Sequence, residues 1–121
     1  MKTSSPAVLE VIQNYFEGYT EAESVKLLRA FHPETQLLSV DAGKLEKTEM
    51  SEWLLNIERR KAAGDIRTGK FEILNSEEFG EAAVATVVMT FPKLEFTDHL
   101  SLLRVDGAFK IVGKTYTVRP L

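Results

Sequence analysis

"FTDHLSLLRVDGAFKIVGK", residues Phe96 to Lys114, reads as two β-strands joined at Asp106-Gly107. Asp-Gly suits the two central positions of a tight hairpin, both of which need positive φ. Before the turn, Asp98, Leu100 and Leu102 share one strand face, and His99, Ser101 and Leu103 share the other. The hairpin therefore sets an acid among leucines on the face that a core would cover, and it opens the question of what that acid does.

Outward from this hairpin the period of two persists. "TGKFEIL", "AAVATVVMTF", "EFTDHLSLLRV" and "AFKIVGKTYTV" are rich in β-branched residues and are separated by Gly80-Glu81, Pro92-Lys93 and Asp106-Gly107, which predicts an antiparallel meander from about Thr68 onward. The N-terminal half has helical spacing instead. Ser5 before Pro6 starts a first helix, in which Val8, Ile12, Tyr15 and Tyr19, flanked by Leu9 and Phe16, form a wide apolar stripe ending near Gly18 to Tyr19. Thr20 with Glu23 fits a capping box for a second, shorter helix carried by Val25, Leu27, Leu28 and Phe31 up to Pro33. "TQLLSV" (Thr35 to Val40), the turn Asp41-Ala42-Gly43 and a return around Lys44-Leu45-Glu46 make a small hairpin. Thr48 caps a third helix with Met50, Trp53, Leu54 and Ile57 inside and Gly64 at its close.

Helices first and a meander last is an α+β pattern. The expectation is three N-terminal helices packed on a strongly curved, mostly antiparallel sheet, forming a cone with an internal pocket, and one domain spanning residues 1–121. A helix pair cannot fill a strongly curved sheet, so the wide end leaves an apolar pocket of the kind small ligands use.

Composition narrows the function classes. The chain of 121 residues has no cysteine, hence no disulfide framework, thiolate nucleophile or Cys-based zinc site, which fits a reducing cytoplasm. Its net charge of −3 is scattered, so no nucleic-acid footprint is visible, and "MKTSSP" lacks the apolar core of a signal peptide. No apolar run approaches the roughly 20 residues that span a bilayer. A soluble, cytoplasmic protein with no nucleic-acid or membrane partner is expected. "ERRKAAG" (Glu58 to Gly64) reads as a solvated helix end. Gly-rich phosphate loops, nucleophile elbows and dinucleotide fingerprints do not occur, no cofactor is implied, and the two histidines have no metal-ligand spacing.

The order helix, helix, hairpin, helix, meander resembles the nuclear transport factor 2-like superfamily, and within it the group known as "putative lumazine-binding". "VIQNYFEGY", "AFHPETQLLSV" and "TDHLSLLRVDGAFKIVGK" carry the resemblance, which spans about Pro6 to Val118. It implies the cone fold but no single reaction, because this superfamily hosts isomerases, dehydratases, cyclases, transport adaptors and binding domains. Ketosteroid isomerases on the same fold pair a protonated aspartate with a helix-one tyrosine to hold an oxyanion. By resemblance these roles fall on Asp98 and Tyr15. The isomerase base does not carry over: Ser39 stands at or near its position, and a serine cannot take a proton from a carbon acid unaided. Asp41, two residues on, and His32 in "FHP" are the other candidate proton carriers.

Tyr15, Tyr19, Ser39, Trp53, Asp98 and Leu100 are thus the expected pocket residues, with Asp98, Tyr15 and His32 as candidate catalytic groups. Each has a structural alternative. The aromatic residues would serve as core packing, His32 would satisfy backbone groups, and Asp98 would pair with Lys114 on the neighbouring strand. His99 is expected on the outer face, towards a second subunit or solvent. Three functions follow: a domain binding a small apolar or aromatic molecule, an isomerase, dehydratase or cyclase in which Tyr15 and Asp98 polarise a carbonyl, and a homodimeric interaction module paired through the outer sheet face.

Overall fold

A computed structural model describes residues 4–121; Met1 to Thr3, the start of the stretch read for a signal peptide, lie outside the described residues. Helices α1 (Pro6–Thr20) and α2 (Ser24–Ala30) lead into the hairpin β1 (Gln36–Asp41) and β2 (Lys44–Glu49), followed by α3 (Met50–Ala62). The meander is β3 (Lys70–Phe79), β4 (Ala82–Thr90), β5 (Leu94–Val105) and β6 (Ala108–Pro120). One curved, open sheet of six strands results, in the order β2-β1-β6-β5-β4-β3. Every pairing is antiparallel except β1 on β6, where Leu37 lies beside Lys114 and Leu38 beside Thr115. The α+β cone expected from the sequence is the fold observed.

Local chemistry accounts for the ends of the elements. Ser5 Oγ accepts from the Val8 amide at 3.3 Å and Pro6 begins α1 as expected. The Thr20 capping box does not form: α1 runs through Thr20, whose hydroxyl donates to the Phe16 carbonyl at 2.9 Å, and α2 starts from Glu23 with no side-chain cap. Val25 and Leu28 of α2 point outward, and burial there falls on Leu27 and Ala30, followed by Phe31. Thr48 caps nothing either, because it belongs to β2 and pairs with Leu37. The turns at Ala42-Gly43 and Asp106-Gly107 have positive φ at both positions, the geometry that tight hairpins need.

The core lies between the helices and the concave sheet face. Val8, Ile12, Leu27, Phe31 and Ile57 from the helical layer meet Val87, Met89, Leu100, Leu102 and Ile111 from the strands. Two irregularities shape that face. The β3–β4 register slips between Ile73 and Asn75, and the β5–β6 register slips at Val112, between Ser101 opposite Gly113 and Leu102 opposite Ile111. A bulge adds one residue and reverses the alternation beyond it. In β6 it turns Phe109 and Ile111 inward on one side and Lys114 and Tyr116 inward on the other.

Candidate functional site

Three elements bring a lysine, a tyrosine and an aspartate together inside the cone. Tyr15 points in from α1, Asp98 from the middle of β5 and Lys114 from β6 just past the bulge. The Tyr15 hydroxyl donates to Asp98 Oδ2 at 2.5 Å, and Lys114 Nζ donates to the Tyr15 oxygen at 2.6 Å. Lys114 Nζ lies 3.7 Å from the same Asp98 oxygen, so the two readings of Asp98, tyrosine partner and lysine partner, are realised at once. Asp98 is 0% exposed and Lys114 7%.

Burial sets the protonation of the group. It pushes the Tyr15 hydroxyl well above its ordinary value, and the neighbouring Asp98 charge pushes the same way, so Tyr15 keeps its hydrogen and donates it. Burial also pulls Lys114 below the ordinary lysine value, with Asp98 opposing that shift less strongly. Asp98 accepts here rather than donating, which reverses the polarity that the isomerase resemblance implies. Its other oxygen, Oδ1, has no hydrogen-bond partner among the described residues.

Lys114 and Tyr15 both face open space. A cleft of about 240 Å³ runs into the cone, lined by Tyr15, Tyr19, Leu37, Thr48, Trp53, Asn56, Met89, Phe96, Lys114 and Tyr116. The ammonium sits 4.9 Å from the ring centre of Tyr15, 5.0 Å from Trp53 and 4.7 Å from Tyr116. Those rings partly replace the water that the charge has lost. Its single hydrogen bond among the described residues goes to Tyr15, which leaves donor capacity for a molecule in the cleft.

Of the expected pocket residues, Tyr15, Tyr19 and Trp53 line the cleft. Asp98 stands behind Tyr15, and Leu100 belongs to the packed core on the same strand face. Ser39 does not line the cleft, and Asp41 is exposed at the end of β1, where it pairs with Lys44. His32 also lies outside it. Its backbone N–H donates to the Ile111 carbonyl at 2.9 Å and its Nδ1 accepts from the Glu34 amide at 3.1 Å, a local structural role. His99 is exposed on the outer face, with Nδ1 3.3 Å from the Thr86 hydroxyl.

The "ERRKAAG" reading needs a correction at Arg60, whose side chain is only 12% exposed. Its guanidinium donates to the Tyr19 carbonyl at 2.7 Å and the Asp65 carbonyl at 3.1 Å, and it lies 4.9 Å from the Tyr19 ring centre. Arg67 hydrogen-bonds the Tyr19 hydroxyl, and both arginines reach Asp65 Oδ2 at 3.4 Å. Tyr19 is therefore clamped at the cleft wall by two arginines. Wider depressions of about 430 and 650 Å³ cross the outer sheet face; Gly113 and Lys114 border the first, and Tyr116 borders the second.

Lys114 as a cleft residue, together with Tyr116 and Phe96, is absent from the sequence expectation. Counted without a bulge from Val105 opposite Ala108, Lys114 would stand opposite His99 and point outward. Gly113 was the available signal, since glycine inside a strand marks a bulge.

The fold recurs among solved structures. An NTF2-like protein of unknown function from Shewanella baltica OS155 is 25% identical, with 98% of this chain and 100% of that one covered and a TM-score of 0.82. A second, from Silicibacter pomeroyi DSS-3, is 21% identical over 93% of each chain, with a TM-score of 0.81. A third, from Methylobacillus flagellatus KT, is 21% identical over 98% of this chain and 96% of that one, at 0.78. No curated protein matches the chain. The family model described as "Putative lumazine-binding" matches residues 3–117, nearly the whole chain. With that match, and with the cone and its cleft in place, the chain belongs to this family of the NTF2-like superfamily.

Proposed function

We propose that the chain is a single binding domain whose cleft takes a flat, fragment-sized aromatic molecule bearing a carbonyl or similar acceptor. The observation that carries this reading is Lys114, a buried cation in a cage of three aromatic rings, with donors left over and a cleft in front of it. At about 240 Å³ the cleft falls below the roughly 300 Å³ at which drug-sized sites begin, which favours a one- or two-ring ligand. A pteridine such as lumazine, the compound in the family's description, has this shape and carries carbonyl oxygens.

The enzymatic alternative has less support. No aspartate, glutamate or histidine is among the residues lining the cleft, so an isomerase would lack its usual base. The Tyr15 hydrogen is also committed to Asp98.

Homodimerisation through the outer sheet face has its own observation. Val84 and Leu103 are both 45% exposed there, beside His99, Thr86 and Thr115. An antiparallel sheet face of this kind is commonly covered by a symmetric partner.

Trp53 is the only tryptophan and lines the cleft, so its emission reports occupancy. Titration with lumazine and other flat bicyclic heteroaromatics is expected to quench it saturably. Unchanged emission across such a panel would overturn the binding reading.

A further inference from the structure

We propose that Lys114 is a reactive amine that forms a reversible imine with an aromatic aldehyde or related carbonyl compound seated in the cleft. The inference rests on the cleft being a ligand site and goes beyond it by assigning a covalent step to one residue.

Geometry supports it first. Lys114 lines the cleft, and its Nζ lies within 4.7 to 5.0 Å of the ring centres of Tyr15, Trp53 and Tyr116, which line the cleft with it, so a carbonyl compound stacked on those rings is brought close to the nitrogen. A lysine desolvated in an apolar pocket is the usual form of an imine-forming amine, because the lone pair is available without the cost of stripping water from an ammonium. Burial lowers the proton affinity of this lysine, in keeping with that role.

The proton path is built in. The Lys114–Tyr15–Asp98 chain, with links of 2.6 and 2.5 Å, lets an ammonium hydrogen pass to the Tyr15 oxygen while the Tyr15 hydrogen passes to Asp98. Lys114 is then a neutral amine and Asp98 a carboxylic acid. The nitrogen attacks the carbonyl carbon, a C–N bond forms, and the C=O π pair moves to oxygen. That oxygen takes the proton surrendered by the nitrogen and becomes a hydroxyl, giving a carbinolamine. Asp98 returns its proton through Tyr15 to the hydroxyl, the C–O bond breaks, and water leaves as the nitrogen lone pair closes the C=N bond. The sum is ammonium plus aldehyde giving iminium plus water. No oxidant or further reactant enters, and Asp98 is again a carboxylate facing a cation.

The test uses the wild-type chain, so no variant has to fold. 2-Naphthaldehyde is incubated with the protein at neutral pH, sodium cyanoborohydride reduces any imine to a stable amine, and peptide mass spectrometry maps the adducts. Trp53 emission is titrated in parallel with the aldehyde and with 2-naphthylmethanol, which has the same rings and no carbonyl. The proposal expects both compounds to quench, and one naphthylmethyl group to appear on Lys114. That adduct should form several-fold faster than any on exposed lysines such as Lys44 or Lys93, since a lowered proton affinity raises the free-amine fraction at neutral pH. Quenching by both compounds with no Lys114 adduct, or with adducts spread according to exposure, overturns the imine and leaves the cleft as a binding site. Absence of quenching and of a Lys114 adduct overturns both readings.

Discussion

At the scale of single residues, the protein is distinguished by what surrounds one ammonium. Lys114 has lost its water to burial and regained a carboxylate 3.7 Å away, a tyrosine oxygen and three ring faces. Removing one member of a buried pair leaves the other uncompensated. Lys114→Met and Asp98→Asn should therefore each lower the unfolding free energy, by about 3 kcal/mol for Lys114→Met. The double variant should lose clearly less than the sum, as read by urea denaturation. Additive losses would show the two residues to be independent. The pH dependence has a definite sign. Lys114 has a folded-state value below its ordinary 10.5, so between those two values the unfolded chain holds the proton that the native one has released, and stability rises with pH. Tyr15 is shifted the other way: above its ordinary 10.0 the unfolded chain loses a proton that the native one keeps, and stability falls again. An alkaline maximum near pH 10 is expected, and Tyr15→Phe should remove the fall above it. Asp98 and Tyr15 were legible in the sequence because alternation and helical spacing are local rules; Lys114 was not, because one inserted residue at Val112 reverses its side.

At the scale of elements, the bulge in β6 sets which of its residues reach the cleft, and a close contact between α1 and α2 fixes the helical layer. The helix-first, meander-last order follows from periodicity alone, and the turns at Ala42-Gly43 and Asp106-Gly107 appear where their composition placed them. Capping was less legible: Thr20 and Thr48 have suitable side chains, yet one stays inside α1 and the other in β2, because helix starts are chosen by packing as well as by local chemistry. Gly18 shows how tight that packing is. A Cβ there would stand 2.8 Å from Leu27 Cγ and 2.9 Å from its backbone nitrogen, and a backbone atom cannot step aside as a side-chain tip can. Gly18→Ala should therefore cost about 1–3 kcal/mol through overpacking, outweighing the helix propensity it adds. A rise in melting temperature would contradict this, since it would mean that α1 and α2 separate freely.

At the scale of the whole molecule, the two faces of one sheet differ in character. The concave face holds the core and the cleft, and the convex face carries Val84 and Leu103 half-exposed. Sedimentation at micromolar concentration should give twice the chain mass, and Val84→Lys with Leu103→Lys should return it to a monomer. A wild-type monomer would make that face ordinary surface. Among the described residues no helix is long and apolar enough to cross a membrane. The fold was readable because hydrophobic period and turn chemistry are written locally; the contents of the cleft depend on where six strands and three helices converge, which no short stretch encodes. The most direct measurement is a heteronuclear NMR titration with lumazine. The binding reading predicts that shifts concentrate on the Trp53 indole N–H and on Tyr19, Thr48, Asn56 and Tyr116, while His99 and Thr115 on the outer face stay still. Shifts confined to the outer face, or none at saturating ligand, would contradict it.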